Sequence, residues 1–290
     1  MKTFDAQFGQ AVDYLRSFRF GGDGAEPMGL MLGTGMSSVI DIIDIERRVA
    51  LAEIPGLPSS SVAFQSPSFI SGRIGDAPVV CADGRFHFYE GHSMREVVSI
   101  VYVMRELGVK RLIINSAVGG INKDYEQGDL VMVNDHINLS TANPLIGLKG
   151  EDGKMLFPNM IDAYHKETGA ALKTAAAANA VMLKEGVLAY LPGPAFETRA
   201  ELRLLRALGA DLIGWSMVPE VSFARALGME VAGICCVSDI SNPDTAAPAN
   251  LDDIVEACRS ASERLSAILL RTMDGVSNNI VKTNGSAINL

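Results

Sequence analysis

The stretch "SMREVVSIVYVMRELGVKRLIINSAVGGIN", residues 93–122, decides the fold class. Its first half repeats apolar residues at helical spacing and stops at Gly108, as a helix does before a left-handed glycine. Its second half, "RLIINSA", is an apolar run short enough to be a strand buried on both faces. It ends in small residues and a glycine pair. Helix then buried strand is the unit of an α/β sheet, and the unit recurs along the chain. "PMGLMLG" (27–33), "APVVCAD" (77–83), "DLVMVND" (129–135), "VLAYLPG" (187–193) and "EVAGICCVSD" (230–239) read as strands. "IDAYHKETGAALKTAAAANAVMLKEG" (161–186), "TRAELRLLRALGA" (198–210), "PEVSFARALGM" (219–229) and "NLDDIVEACRSASERLSAILLRTM" (250–273) read as helices. Asn250 is placed to cap the last of these, with Asp252 and Asp253 in its first turn. The expectation is an α/β fold with a mixed, largely parallel central sheet flanked by helices.

No linker-like composition divides the chain, so residues 1–275 are expected to form one domain and 276–290, polar and glycine-containing, a loose tail. The 290 residues suffice for a substantial core, and 48 % hydrophobic against 20 % charged residues describes a globular chain. "MKTFDAQFGQAVDYL" reads as an amphipathic helix rather than a signal peptide, and no apolar run is long enough to span a bilayer. A cytoplasmic protein with no membrane partner is expected. A net charge of −9 and the lack of a basic run argue against nucleic acid. Cys81, Cys235, Cys236 and Cys258 form no C-x-x-C pair and read as small buried hydrophobes; no ligand spacing suggests a metal.

Open α/β sheets bind ligands where strands end. Four such places carry chemistry. "LGTGMSS" (32–38) offers backbone N–H groups at Gly33 and Gly35 with the Thr34 hydroxyl; it fits either a structural turn or an anion cradle. In "DGRFHFYEGH" (83–92), an extended backbone would put Arg85, His87 and Tyr89 on one face and Phe86 and Phe88 on the other. Arg85 brings a planar fork of donors for an oxyanion, and His87 a ring donor. The bland alternative is an edge strand with scattered polar residues. "INSAVGGIN" (114–122) lets a ligand approach main-chain N–H groups. "LPGPAFETRAE", "GWSMVPE" and "VSDIS" set Glu197, Ser216 and Asp239 at three further strand ends, with Phe196 and Trp215 beside them. Two carboxylates with aromatic neighbours suit a flat, hydrogen-bonding ring, although Trp215 alone would also read as core. His92, His136 and His165 have no role in this reading: the first two are expected to be structural and His165 to lie at the surface.

Taken together, "GRFHFYEG", "GPAFET" and "VPEV", in this order and spacing, resemble the trimeric purine nucleoside phosphorylases, over a span from about Leu30 to the last helix. The resemblance implies that phosphate attacks C1′ of a purine nucleoside, giving free base and (deoxy)ribose 1-phosphate. Phosphate is then a co-substrate, and no cofactor or metal is implied. By position, Thr34, Arg85, His87, the Ala117 backbone and Ser216 would hold phosphate. Tyr89, Trp215 and Leu251 would line the sugar, Phe196 would pack on the base, and Glu197 and Asp239 would bind its polar edge. His87, Glu197 and Asp239 are the implied catalytic set. Phe157, in the excursion "TANPLIGLKGEDGKMLFPN" (141–159), would cover a neighbouring subunit's sugar site in a homotrimer. The chain departs from the family pattern at Asp239 (usually Asn), Leu251 (usually His), Trp215 (usually Met), Gln65 (usually His) and Ser116 (usually Asn). Asp239 and Leu251 lean towards a 6-aminopurine with an apolar 5′-group, so 5′-methylthioadenosine phosphorolysis is the alternative. A catalytically inactive nucleoside-binding protein is the third reading.

Overall fold

The structure is a computed structural model describing residues 2–20, 26–59, 67–150, 152–244 and 251–285, with side chains except at 251 and 276–285. Asn250 and Gln65 lie outside the described residues.

Among the described residues nine strands run in chain order: β1 (Met28–Leu32), β2 (Asp44–Ala50), β3 (Ser68–Ile74), β4 (Ala77–Asp83), β5 (Arg111–Gly120), β6 (Leu130–Asn138), β7 (Leu183–Tyr190), β8 (Leu212–Gly214) and β9 (Glu230–Ile240). They form one sheet in the order β2-β3-β4-β1-β5-β8-β7-β6-β9, and β9 also pairs with β5. That extra pairing closes β5, β9, β6, β7 and β8 into a ring, leaving β1 to β4 as an open wing. Five pairings are parallel (β1 with β4 and β5, β5 with β9, β7 with β6 and β8) and four antiparallel. The sheet is therefore mixed, as expected.

Alternating side chains build a core on each face. Along β5, Leu112 and Ile114 face one core and Ile113 the other; along β4, Val80 and Ala82 oppose Val79 and Cys81. Helices α1 (Lys2–Ser17), α3 (Ser99–Glu106) and α6 (Val218–Ala226) cover the first face. Helices α4 (Lys166–Ala178) and α7 (Leu251–Gly285) cover the second. The short α2 (Met94–Val97) leads into α3, and α5 (Arg199–Ala207) packs Leu202 and Leu205 over Ile213 of β8. All four cysteines are free and buried.

Several elements differ from expectation for identifiable reasons. The alanine-rich helix does not reach Gly186: Asn179 caps it, Ala180 turns into the left-handed region at φ 53°, and Leu183 already begins β7. Helix propensity ran on past a backbone turn that alanine only marginally signals. His165 is the helix cap, its ring accepting from the Thr168 N–H, and is only partly exposed. Strand β2 was not read because it is an edge strand with five successive exposed positions. Helix α7 continues past Met273, where the sequence reading ended it, to Gly285; extending a helix from a packed body is far cheaper than nucleating one.

The N-terminal helix is integral to the core. Phe4 is fully buried, stacked on Phe223 of α6 at 4.7 Å between ring centres and tilted against Tyr102 of α3 at 5.3 Å. Phe4→Ala is expected to lower unfolding free energy by about 3 kcal/mol, the usual scale for deleting a buried aromatic ring. Denaturant titration measures it, and a loss within error of zero would mean α1 is not part of the cooperative unit.

Candidate active site

The carboxyl ends of β1, β4, β5, β7, β8 and β9 meet around a cavity of about 170 Å³. Thr34 reaches it from the turn after β1, Arg85 and His87 from the loop after β4, Ala117 from within β5, Phe196 and Glu197 from the loop after β7, Trp215 and Ser216 after β8, and Asp239 from β9. Tyr89 completes this set.

Arg85 is 4 % exposed and held from behind. Its Nη1 lies 3.4 Å from Oε1 of fully buried Glu220, while Nη2 donates to the Asn115 main-chain oxygen and, at 3.5 Å, to that of Met31. Burial works against the guanidinium charge and the Glu220 carboxylate works for it. Glu220 sits in the first turn of α6, whose positive dipole end starts two residues after Ser216. Between them, Met217 is forced to φ 72°, a strained conformation for a non-glycine residue. Ser216 Oγ is 2.7 Å from Ser116 Oγ, so the serine that departs from the family pattern anchors the neighbouring donor.

The expectation that 85, 87 and 89 share a strand face is corrected. The backbone is extended at His87 and then turns through a 3₁₀ helix over Phe88–Glu90. A capping box drives the turn: Glu90 Oε1 accepts from the His87 N–H and contacts His87 Nδ1, both at 2.9 Å. That turn stacks the His87 and Tyr89 rings 4.7 Å apart, 19° from parallel, instead of spacing them along a strand. Nδ1 is taken by Glu90, leaving Nε2 for the cavity. Phe86 is buried as expected, in T-shaped contact with His92. Tyr89 continues edge-on to Trp215 at 5.8 Å, and Trp215 meets Phe196 at 4.9 Å, giving an unbroken aromatic wall. Burial pushes the Tyr89 hydroxyl up to about 12, so it stays a neutral donor.

The far end holds the carboxyl groups. Glu197 Oε1 accepts from the Trp215 indole N–H at 3.2 Å. Burial raises the Glu197 carboxyl above its usual range, and the charge of Asp239 adds to the shift. Asp239 comes off a bulge in which Val118 and Gly119 face Val237 and Asp239, leaving Ser238 as the extra residue. Oδ1 of Asp239 accepts from Ser238 Oγ at 3.0 Å and Oδ2 from Ser241 Oγ at 3.1 Å.

Phe157 and Leu251 stand apart from this set. Phe157 is 88 % exposed and does not line the cavity. Leu251 begins α7, and its side chain lies outside the described residues; Ile254, one turn on, does line the cavity. Ser238, Ser241 and Ile254 were missed. The two serines flank Asp239 in "VSDIS", but a hydroxyl beside a carboxylate carries no pattern of its own.

Fold and cavity define an α/β cleft with a donor-lined, cationic end, an aromatic wall and a carboxyl end. A profile of the phosphorylase superfamily matches residues 27–274. The chain belongs to that superfamily. It is 38 % identical to "Purine nucleoside phosphorylase 1" of Geobacillus stearothermophilus over 88 % of this chain and 92 % of the relative. It is 34 % identical to the purine nucleoside phosphorylase of Bos taurus over 85 % and 88 %. The Schistosoma mansoni purine nucleoside phosphorylase crystallised with adenosine superposes with a TM-score of 0.84 at 27 % identity, covering 92 % of this chain and 95 % of that one. A Schistosoma enzyme in complex with hypoxanthine gives 0.84 at 28 %, with the same coverage.

Trp215 is the chain's single tryptophan and stands in the cavity wall between Tyr89 and Phe196. Purine binding is expected to quench the intrinsic fluorescence saturably, and Phe196→Ala to weaken that titration several-fold. An unchanged emission spectrum at saturating purine would place the base elsewhere.

Proposed function

We propose that the chain catalyses phosphate-dependent cleavage of the N-glycosidic bond of purine nucleosides. The observation that carries this reading is the joining of two half-sites in one cavity, a preformed cationic donor set and an aromatic, carboxyl-lined slot. Phosphate is held by Arg85, His87, Ser216, Thr34 and the Ala117 backbone. Tyr89 and Trp215 line the sugar, and Phe196, Glu197 and Asp239 take the base. A phosphate oxygen attacks C1′ as the C1′–N9 bond breaks, and the bonding pair leaves on the purine. The ribosyl group is briefly oxocarbenium-like, so rate depends on a nucleophile held in line and on hydrogen bonds to the departing base. The protein's net charge of −9 opposes phosphate, which makes the local donors decisive. Phosphate is the only co-reactant needed; no metal or organic cofactor takes part.

The active form is proposed to be a homotrimer. An almost fully exposed Phe157, with exposed Ile146 in the same excursion and exposed Ile161 just after it, is the kind of apolar patch that a neighbouring copy covers. Phe157 would then shield the neighbour's sugar site. A second reading, with 5′-methylthioadenosine as substrate, is favoured by apolar Ile254 projecting into the cavity from the first turns of α7.

Purified protein is expected to release base from inosine, adenosine or 5′-methylthioadenosine only when phosphate is present. Nucleoside binding without turnover of any of the three would instead identify an inactive binding protein. Arg85→Lys, which keeps a positive charge beside Glu220 but loses the planar fork, should raise the KM for phosphate about tenfold or more and leave purine binding by fluorescence nearly intact.

Light scattering should give three times the chain mass. Phe157→Ala should raise the nucleoside KM several-fold with the phosphate KM unchanged; a monomer with full activity would dispose of the shared-site idea.

A further inference from the structure

The base end of the cavity holds two carboxyl groups, and which of them carries a proton decides the ring it accepts. A 6-oxopurine offers an N–H at position 1 and an acceptor at position 6. A 6-aminopurine reverses this, with an acceptor at position 1 and an N–H at position 6. Either ring needs one carboxyl to donate and one to accept, so either needs one proton on the pair. For the 6-oxo ring that proton must sit on the group at position 6, and for the 6-amino ring on the group at position 1. With Glu197 facing position 1 and Asp239 facing position 6, the choice falls to their surroundings.

Those surroundings are unequal. Asp239 receives a hydroxyl on each oxygen, from Ser238 and from Ser241. Ser238 has one proton and two acceptors, because the Val118 carbonyl oxygen lies 3.1 Å away as well. Among the described residues the Ser241 hydroxyl has no such competitor, and its position is fixed from the main chain, where the Ser241 N–H donates to Gly120 O at 2.9 Å. Gly119 makes room for it: a Cβ there would lie 2.6 Å from Ser241 Oγ and 3.5 Å from Asp239 Oδ2. Among the described residues Glu197 has one side-chain donor, the Trp215 indole.

We propose that Ser241, by donating to Asp239 Oδ2, commits Asp239 to accepting and so sets the base pocket for 6-aminopurine nucleosides. With Asp239 accepting, the donor to the ring acceptor at position 1 is Glu197, whose carboxyl burial raises above its usual range. Ser241 is a positioning residue: it acts on the base through Asp239. This assignment rests on the base lying between Glu197 and Asp239 as proposed above, and the test separates the two.

The measurement is kcat/KM for adenosine and inosine at saturating phosphate, on the full chain and on Ser241→Ala, Ser241→Thr and Asp239→Asn. The unsubstituted protein is expected to favour adenosine. Ser241→Ala should lower the adenosine to inosine ratio about tenfold, the scale of one hydrogen bond to a charged group, with the phosphate KM unchanged. Ser241→Thr, which keeps the hydroxyl, should restore the ratio; a purely packing role would not follow the hydroxyl. Asp239→Asn should turn the preference towards inosine. A ratio moved by Asp239→Asn and untouched by Ser241→Ala overturns the role of Ser241 and leaves the base placement standing. A ratio unmoved by both overturns the base placement itself. Preference of the unsubstituted protein for inosine overturns the proposal outright.

Discussion

The arrangement depends on one buried cation. Arg85 follows the end of β4, passes under β1 and β5 to donate to Met31 and Asn115 main-chain oxygens, and meets Glu220 at the start of α6. A guanidinium taken out of water is costly unless its donors are used and its charge is countered, and a buried pair of this kind adds little net stability. What it supplies is position. Three strands and a helix are pinned at one point, and that point is the wall where an anion would be received. The same burial that weakens the cation's hydration strengthens its interaction with any anion that enters.

Around that point the chain accepts local irregularity. Met217 takes a positive φ so that Ser216 faces the cavity while α6 keeps Glu220 behind Arg85. Gly193, at φ 66°, lies where a Cβ would meet the Trp215 ring at 2.8 Å, so glycine is required for the loop after β7 to close on the indole. The bulge at Gly119 inserts Ser238 and turns Asp239 towards the cavity. A strained turn, a glycine contact and a bulge each sit at a strand's carboxyl end, where local rules give way to the needs of a site.

This explains what could be read in advance. Strands buried on both faces announce themselves by continuous apolar runs, and β1, β4, β5 and β9 were legible for that reason. The exposed edge strand β2, the three-residue β8 and β3, buried but broken up by Ser71, Gly72 and Arg73, were not. At the site, Arg85, His87, Glu197 and Asp239 stood out because charged groups between apolar runs demand a reason. Their geometry did not follow from alternation: the Glu90 capping box replaced a strand by a turn, and a stacked His87–Tyr89 pair was the result. Glu220, within "VPEV", gives no signal of its own, since a carboxylate in the first turn of a helix is ordinarily explained by the helix dipole. Ser241 was invisible because its meaning lies in the hydroxyl's direction.

The two ends of the cavity carry opposite electrostatic tasks, and the aromatic wall separates them. At one end Arg85, the Ser216 hydroxyl and the α6 dipole gather positive potential; at the other, Glu197 and Asp239 would repel one another if both were charged. Trp215 joins the ends, packing beside Tyr89 on one side and donating to Glu197 on the other. A ligand that is anionic at one end and a neutral hydrogen-bonding ring at the other satisfies both, and a single small anion or a single flat ring would satisfy only one. The cavity is in this sense built for two molecules meeting at a bond between them. That is the arrangement a group transfer between phosphate and a purine requires.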